Sequence, residues 1–383
     1  GLSDHELEPV TRAFSHFLNL SNLAEQFYTV SKQCEQMFAV PDHLDELLIR
    51  LKSQDFSNEK IAKSVADLSI EVVLTAHPTE VIRRTLIQKH EKIFDCLNSL
   101  ESEGISSHDQ TQWENRLQQL ISQAWHTFEF RTERPTPIDE AKGGFATIEH
   151  SLWEAVPKCA RKIDEQLREH TGLQLPLDAV PIRLSSWMGG DRDGNPFVTA
   201  KTTSEVLRLS RWMAADLYLR DLKPLMGELS MRKCNDALRA KVGDCREPYR
   251  IALKTLRERL RQTRSWCESE PTGYFVHGIL KDTDELLEPL QLCYESLHQC
   301  GMGIIADGAL LDLIRRAHCF GLTLIKLDIR QESNRHTQAL SELTTALEMG
   351  DYSQWNESQR QTFILKELQN PRPLMPRNWQ PLP

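Results

Sequence analysis

Three stretches of this chain end in residue types suited to proton transfer and anion binding. Glu71–His77 (EVVLTAH) runs into Pro78, Thr79 and Glu80. Val180–Trp187 (VPIRLSSW) runs into MGGDRDGNP at Met188–Pro196. Gly321–Arg330 (GLTLIKLDIR) runs into Gln331, Glu332 and Ser333. Histidine ordinarily titrates near neutral pH, so His77 suits general acid–base work. Pro78 biases His77 toward extended geometry and so toward a strand end rather than a helix. Arg330 presents a rigid fork matched to phosphate or carboxylate, where each charge-assisted hydrogen bond contributes about 1.5–3 kcal/mol. Trp187, beside a glycine-rich loop, suits the wall of a small apolar pocket. On pattern alone each residue keeps a plainer alternative. His77 packs at a turn, Arg330 pairs within the strand layer with Asp328, and Trp187 fills core.

The loop after Trp187 carries the densest chemistry. Gly189, Gly190 and Gly194 permit positive φ and close backbone approach. Asp191, Arg192 and Asp193 supply both charge signs, and an ion-paired turn organised by Arg192 is the plain alternative. The Asp-x-Asp spacing suggests a calcium loop, but its twelfth position is Thr202 rather than Glu, which argues against calcium. Arg83 and Arg84 fall where the next helix should begin. Adjacent residues do not share one helix face, and cations there oppose the macrodipole. A bound anion would relieve that cost; two solvated arginines are the alternative.

Period-2 alternation gives each stretch two faces. Val73, Thr75 and His77 share one, as do Arg183, Ser185 and Trp187, and as do Lys326, Asp328 and Arg330, opposite Ile325, Leu327 and Ile329. Parallel strands with polar tips, separated by long helical stretches, read as part of a β/α barrel with its site at the carboxyl ends. Apolar residues at three- and four-residue steps predict helices over 82–100, 113–128 and 203–229, the last with a kink at Pro224. Further helices fit at about 249–268 and 283–299, the latter opened by Asp282 and Glu285 at capping-box spacing. Glu101–Gln112, Thr132–Gly144, Gly172–Val180 and Pro371–Pro383 read as loops. The expected fold class is mostly α with a partial parallel β/α barrel: three strands with large helical insertions, part of a helix-rich (β/α)8 TIM-type barrel. Three strands do not close such a barrel. The expected organisation is an N-terminal helical region over 1–69, the first part of the barrel over 70–333, and a helix with a Pro-rich segment over 334–383.

The 383 residues are 40% hydrophobic and 26% charged, ordinary for a globular protein. A formal net charge of -9 argues against non-specific nucleic-acid binding. The nine cysteines include no CxxC pair, so reduced thiols in a cytoplasmic protein are expected, with no zinc site. No apolar run reaches membrane-span length. The N-terminus GLSDHELEPV reads as a cut end without a signal peptide. GxGxxG, GxxxxGK[ST], GxSxG and HExxH are all absent from the sequence, so dinucleotide, phosphate-loop, serine-hydrolase and zincin chemistry have no support.

VLTAHPTE, SWMGGDRDGNP and LDIRQES, in this order, resemble the motifs of the phosphoenolpyruvate carboxylases, bacterial members especially. SQAWHTFEFRTERPTPIDEAKGGF, SLWEAVP, GMGIIADG and RPLMPRNWQP fit the same family, and the resemblance covers essentially the whole chain. It implies carboxylation of phosphoenolpyruvate by bicarbonate to oxaloacetate and phosphate, through carboxyphosphate and an enolate, supplying the tricarboxylic acid cycle. By this resemblance His77 is the essential His, Arg330 contacts phosphate or carboxylate oxygens, Trp187 lines the CO₂ pocket and Arg192 orders the adjoining loop. Arg83, Arg84, Arg131 and Arg250 match an anionic-effector site. While charge and hydropathy give no support for a nucleic-acid or membrane partner, the resemblance further implies a homotetramer at full length. It requires Mg²⁺ or Mn²⁺, with the ligands, a catalytic Lys and the inhibitor site in a C-terminal half absent here, so this chain alone should be inactive. Two alternatives stay open: a phosphotransfer protein carrying the phosphoryl group on His77, and a non-catalytic helical scaffold.

Overall fold

A computed structural model describes residues 4–36, 43–75, 84–102, 104–127, 135–269 and 276–375. Three helices open the chain: α1 (Asp4–Gln36), α2 (His43–Ser53) and α3 (Asn58–Ala66). Strand β1 (Ile70–Leu74) follows, then α4 (Arg84–Leu100), α5 (Ser107–Trp125), α6 (Pro137–Thr147) and α7 (Trp153–Thr171). Strand β2 (Ile182–Ser186) leads to α8 (Ala200–Glu228), α9 (Asp236–Val242), α10 (Pro248–Glu268), α11 (Asp284–Gln299), the short turn α12 (Gly303–Ile305) and α13 (Leu311–Phe320). Strand β3 (Lys326–Leu327) is followed by α14 (Ser333–Ala346) and α15 (Glu357–Leu368).

The strands form one parallel sheet in the order β1-β2-β3. Val73 pairs with Ser185, and Ser185 with Lys326. Paired residues of a parallel sheet project to one side. Val73, Ser185 and Lys326, one from each of the three expected faces, therefore lie on one face of one sheet. Described helices separate the strands as a β/α arrangement requires. Strand β3 is much shorter than the expected 321–330. Leu324 sits at φ +61°, a left-handed conformation that no extended strand contains. Pairing resumes only as an isolated bridge between Asp191 and Arg330.

Helix ends follow capping chemistry. Segment 132–144, expected as a loop, is helical from Pro137. Thr136 accepts from the Asp139 N–H while Asp139 accepts from the Thr136 N–H, a reciprocal box with Pro137 in the first turn. Helix α5 likewise starts inside the expected loop 101–112, because Ser106 caps it through the Asp109 N–H. Helix α8 runs through Pro224 without ending there. Asp282 accepts from the Glu285 N–H at 3.0 Å, and Glu285 reaches back to the Lys281 N–H at 2.8 Å.

Helices α6 and α7 are joined by a π-helical turn, Ile148–Leu152. The main core lies among α6, α7, α8, α10, α11 and α13. Tyr218 of α8 is fully buried, and its hydroxyl donates to Gly321 O at 2.9 Å. Arg316 of α13 is also buried: Nε donates to Trp153 O at 2.8 Å and Nη1 to Asp221 at 3.0 Å. Helices α2 and α3 pack on α7 around Leu48, Ile61 and Leu167, and α4 packs on α5 around Ile93 and Leu120.

The eight described cysteines are unpaired. Burial pushes the Cys267 thiol up to about 11, and those of Cys293 and Cys319 up to about 12. These three stay protonated at pH 8 and react slowly, since the thiolate is the nucleophile. Labelling of native protein at pH 8, followed by peptide mapping, should leave them last. All nine should titrate in denaturant without reductant. A count clearly below nine in fresh protein would overturn the reduced-thiol assignment.

Candidate active site

The loop after β2 is seated by backbone contacts. The Gly190 and Asp191 N–H groups both donate to Trp187 O at 2.9 Å, closing a tight turn at the strand tip. A Cβ on Gly190 would stand 2.2 Å from Asp328 O, so only glycine lets the loop lie against the segment after β3. That contact brings two backbones into register: the Arg330 N–H donates to Gly190 O at 3.1 Å, and the Arg192 N–H to Arg330 O at 2.9 Å. On the far side, Gly189 takes φ +82° against Val206 of α8. The Thr203 hydroxyl donates to Gly189 O at 2.8 Å.

This frame brings Arg330 onto Trp187. The guanidinium carbon lies 4.3 Å from the indole centroid, a cation–π stack. Nη1 donates to Asp191 Oδ2 at 3.2 Å, and Nη2 lies 3.6 Å from Asp193 Oδ2. The Arg330 side chain keeps 41% of its surface exposed, so its outer edge can receive a solute anion. The cation beside the loop carboxylates is thus Arg330, hydrogen-bonded to Asp191 and near Asp193, rather than Arg192. Arg192 instead donates from Nη2 to the Thr203 hydroxyl at 3.2 Å, while its Nε is buried without a hydrogen-bond partner among the described residues. Asp328 is not the partner that the plainer alternative gave Arg330, since its charged neighbour is Lys326, at 3.8 Å. A Cβ on Gly144 of α6 would meet Met188 Cε at 2.1 Å, so Met188 plugs the loop into the helical layer.

His77, Arg83 and Arg131 lie outside the described residues. Arg84 opens α4, and its side chain also lies outside them. Arg250 lies in the first turn of α10, exposed, with Nη1 shared between Glu247 Oε1 at 2.9 Å and Oε2 at 3.1 Å. Helix α10 packs on α8, α9 and α11, whereas α4 packs on α1 and α5. The hydrogen bonds of Arg250 stay within its own turn, at Glu247, and include neither Trp187 nor Arg330.

Sequence patterns did not indicate a cavity of about 680 Å³ near the amino ends of the strands, lined by Arg183, Thr283, Asp284, His318 and Lys326 among others. Burial lowers the His318 pKa, with Asp178 and Asp284 opposing. Among the described residues no group of three or more His, Cys, Asp or Glu is placed to hold a metal ion. Asp191 and Asp193 are engaged by Arg330. The described residues therefore do not fit a divalent cation.

The sequence profile of the phosphoenolpyruvate carboxylases matches residues 1–383. Proteins named phosphoenolpyruvate carboxylase are similar throughout. That of Aeromonas hydrophila is 54% identical over 382 residues, covering 99% of this chain and 44% of the relative. That of Pseudomonas syringae pv. syringae is 55% identical over 386 residues, covering 100% and 44%. That of Tolumonas auensis is 53% identical over 382 residues, covering 99% and 43%. The chain thus spans about 44% of the length of the curated relatives it matches. No described helix is long and apolar enough to cross a membrane. With the profile match running from its first residue to its last, the chain belongs to the phosphoenolpyruvate carboxylase family.

Proposed function

We propose that the whole protein containing this chain joins bicarbonate to phosphoenolpyruvate, giving oxaloacetate and phosphate, and that the Trp187–Arg330 corner belongs to its active site. The observation that carries this reading is the guanidinium lying 4.3 Å over the indole, half exposed at the strand tips, in a chain of this family. Both reactants are anions, and their approach costs Coulomb energy that a fixed cation offsets before reaction. Arg330 supplies that cation, and its planar fork matches phosphoryl or carboxylate oxygens. Trp187 gives an apolar wall suited to holding CO₂ away from water. Arg192 is the loop-ordering residue, through Thr203.

His77 follows β1 by three residues, and β1 hydrogen-bonds to β2 at the Trp187 N–H. It is the proposed base that takes the carboxyphosphate proton, which leaves CO₂ and phosphate. The enolate then captures CO₂. Mg²⁺ or Mn²⁺ would neutralise charge on the phosphate and enolate oxygens; its ligands are sought outside the described residues. The division at 69/70 and 333/334, completion of the sheet as a (β/α)8 barrel, a homotetramer in the cytoplasm, and an anionic-effector site using Arg83, Arg84, Arg131 and Arg250 belong to the same reading.

Three experiments test it. The 383-residue polypeptide expressed by itself should show no oxaloacetate formation in an assay coupled to malate dehydrogenase with bicarbonate and Mg²⁺. Turnover in a rigorously purified sample would refute this. In the full reading frame, His77→Asn keeps size and a hydrogen-bonding edge but does not accept a proton near pH 7. Oxaloacetate formation should fall about 10²-fold or more, with folding intact and some bicarbonate-dependent phosphate release retained. Near-normal oxaloacetate would remove His77 as the base, and a phosphohistidine formed from phosphoenolpyruvate would point to phosphotransfer instead. Arg83→Ala and Arg84→Ala should each weaken activation by anionic effectors more than basal turnover; the reverse pattern would place the pair in catalysis or folding.

A further inference from the structure

We propose that Asp193 is an internal competitor for the anion that Arg330 receives, while Asp191 is the fixed strap that aims the guanidinium. The inference rests on Arg330 being an anion-binding residue, as above. The two carboxylates are only two residues apart and flank the same guanidinium, yet they are held differently.

Both Asp191 oxygens are committed. Oδ2 accepts from Arg330 Nη1 at 3.2 Å, and Oδ1 accepts from the Asp193 N–H at 3.2 Å. The backbone on either side of Asp191 is pinned to Arg330 by the paired bonds at Gly190 and Arg192. Movement of the Asp191 carboxylate would therefore break a turn as well as an ion pair. Asp193 has no such tie. Its carboxylate lies 3.6 Å from Nη2, beyond hydrogen-bond length, and its side chain is 57% exposed. An exposed pair of this kind contributes little stability, and the side chain can leave by rotating into solvent. It nonetheless keeps a negative charge beside the Nη2 edge. A phosphate or carboxylate arriving there must displace that charge or approach against it. Asp193 thus holds the place of the substrate anion on a guanidinium that Asp191 keeps aimed.

Inorganic phosphate is the probe, in the full-length protein at constant ionic strength. Its affinity is measured by calorimetry and by inhibition against phosphoenolpyruvate. Asparagine keeps the shape of each side chain, and at 191 it keeps the acceptor of the turn. Asp193→Asn should tighten phosphate binding about fivefold to tenfold, on the scale of an exposed ion pair plus one removed repulsion. Asp191→Asn should weaken it by a similar factor. In Arg330→Gln, adding Asp193→Asn should change nothing. Asp193→Ser should act in the same direction as Asp193→Asn and guards against an effect peculiar to asparagine. If both Asp→Asn variants tighten binding alike, only the lost charge matters and the division of roles is wrong. An unchanged Asp193→Asn affinity, with Arg330→Gln still impaired, overturns the competitor while leaving Arg330 as the anion site. Full phosphate binding in Arg330→Gln would instead remove the reading on which the inference rests.

Discussion

The near-contact of two backbones at Gly190 and Asp328 is the constraint on which the candidate site depends. No side chain separates the loop after β2 from the segment after β3, so carbonyls and N–H groups of the two can pair at Gly190, Arg192 and Arg330. That pairing extends the β2–β3 edge beyond two-residue β3. It sets the Arg330 Cα beside the loop rather than at the end of a free strand, and from there the guanidinium reaches both the indole and the Asp191 carboxylate. A short strand thereby becomes a rigid platform, because its tip is held by the neighbouring loop.

Around that platform the helices act as clamps on the strand tips. Helix α8 holds the loop through Thr203 and Val206, and through Tyr218 and Ser210 it holds the carbonyls of Gly321 and Thr323 just before β3. Helix α6 receives Met188. Buried Arg316 ties α13 to α7 and α8, and loss of one partner from such a set costs about 3–5 kcal/mol. The helical bulk of the chain fixes where two loops meet.

Much of this was legible in the residues. Long amphipathic runs identified α4, α8, α10 and α11 closely, since burial of an apolar stripe leaves a strong 3.6-residue period. Alternation identified the shared face of the sheet. Three features were not legible, for separable reasons. Thr136, Pro137 and Asp139 are turn formers that also cap helices, so composition read a helix start as a loop. The positive φ of Leu324 comes from its tertiary setting, which no propensity of leucine announces. The partners of Arg330 lie 139 and 137 residues away in sequence, so its pairing with the loop carboxylates has no local signature, whereas the choice of Arg192 or Asp328 as partners followed from proximity in sequence.

The π-helical turn between α6 and α7 acts as a phase corrector. Ile148 and Trp153 both face the main core, although five positions apart exceeds one α-helical turn by more than a residue. The wider turn absorbs that surplus, so two helices whose buried faces would otherwise be out of step continue as one rod with a single inner side. The surplus emerges as polar side chains: Glu149 meets Arg220 of α8, and His150 lies 3.1 Å from Glu91 of α4. The rod thus gains lateral struts to two neighbours at the point where its pitch relaxes. The wider turn becomes the joint through which α6, which seats Met188, is braced against α4 and α8.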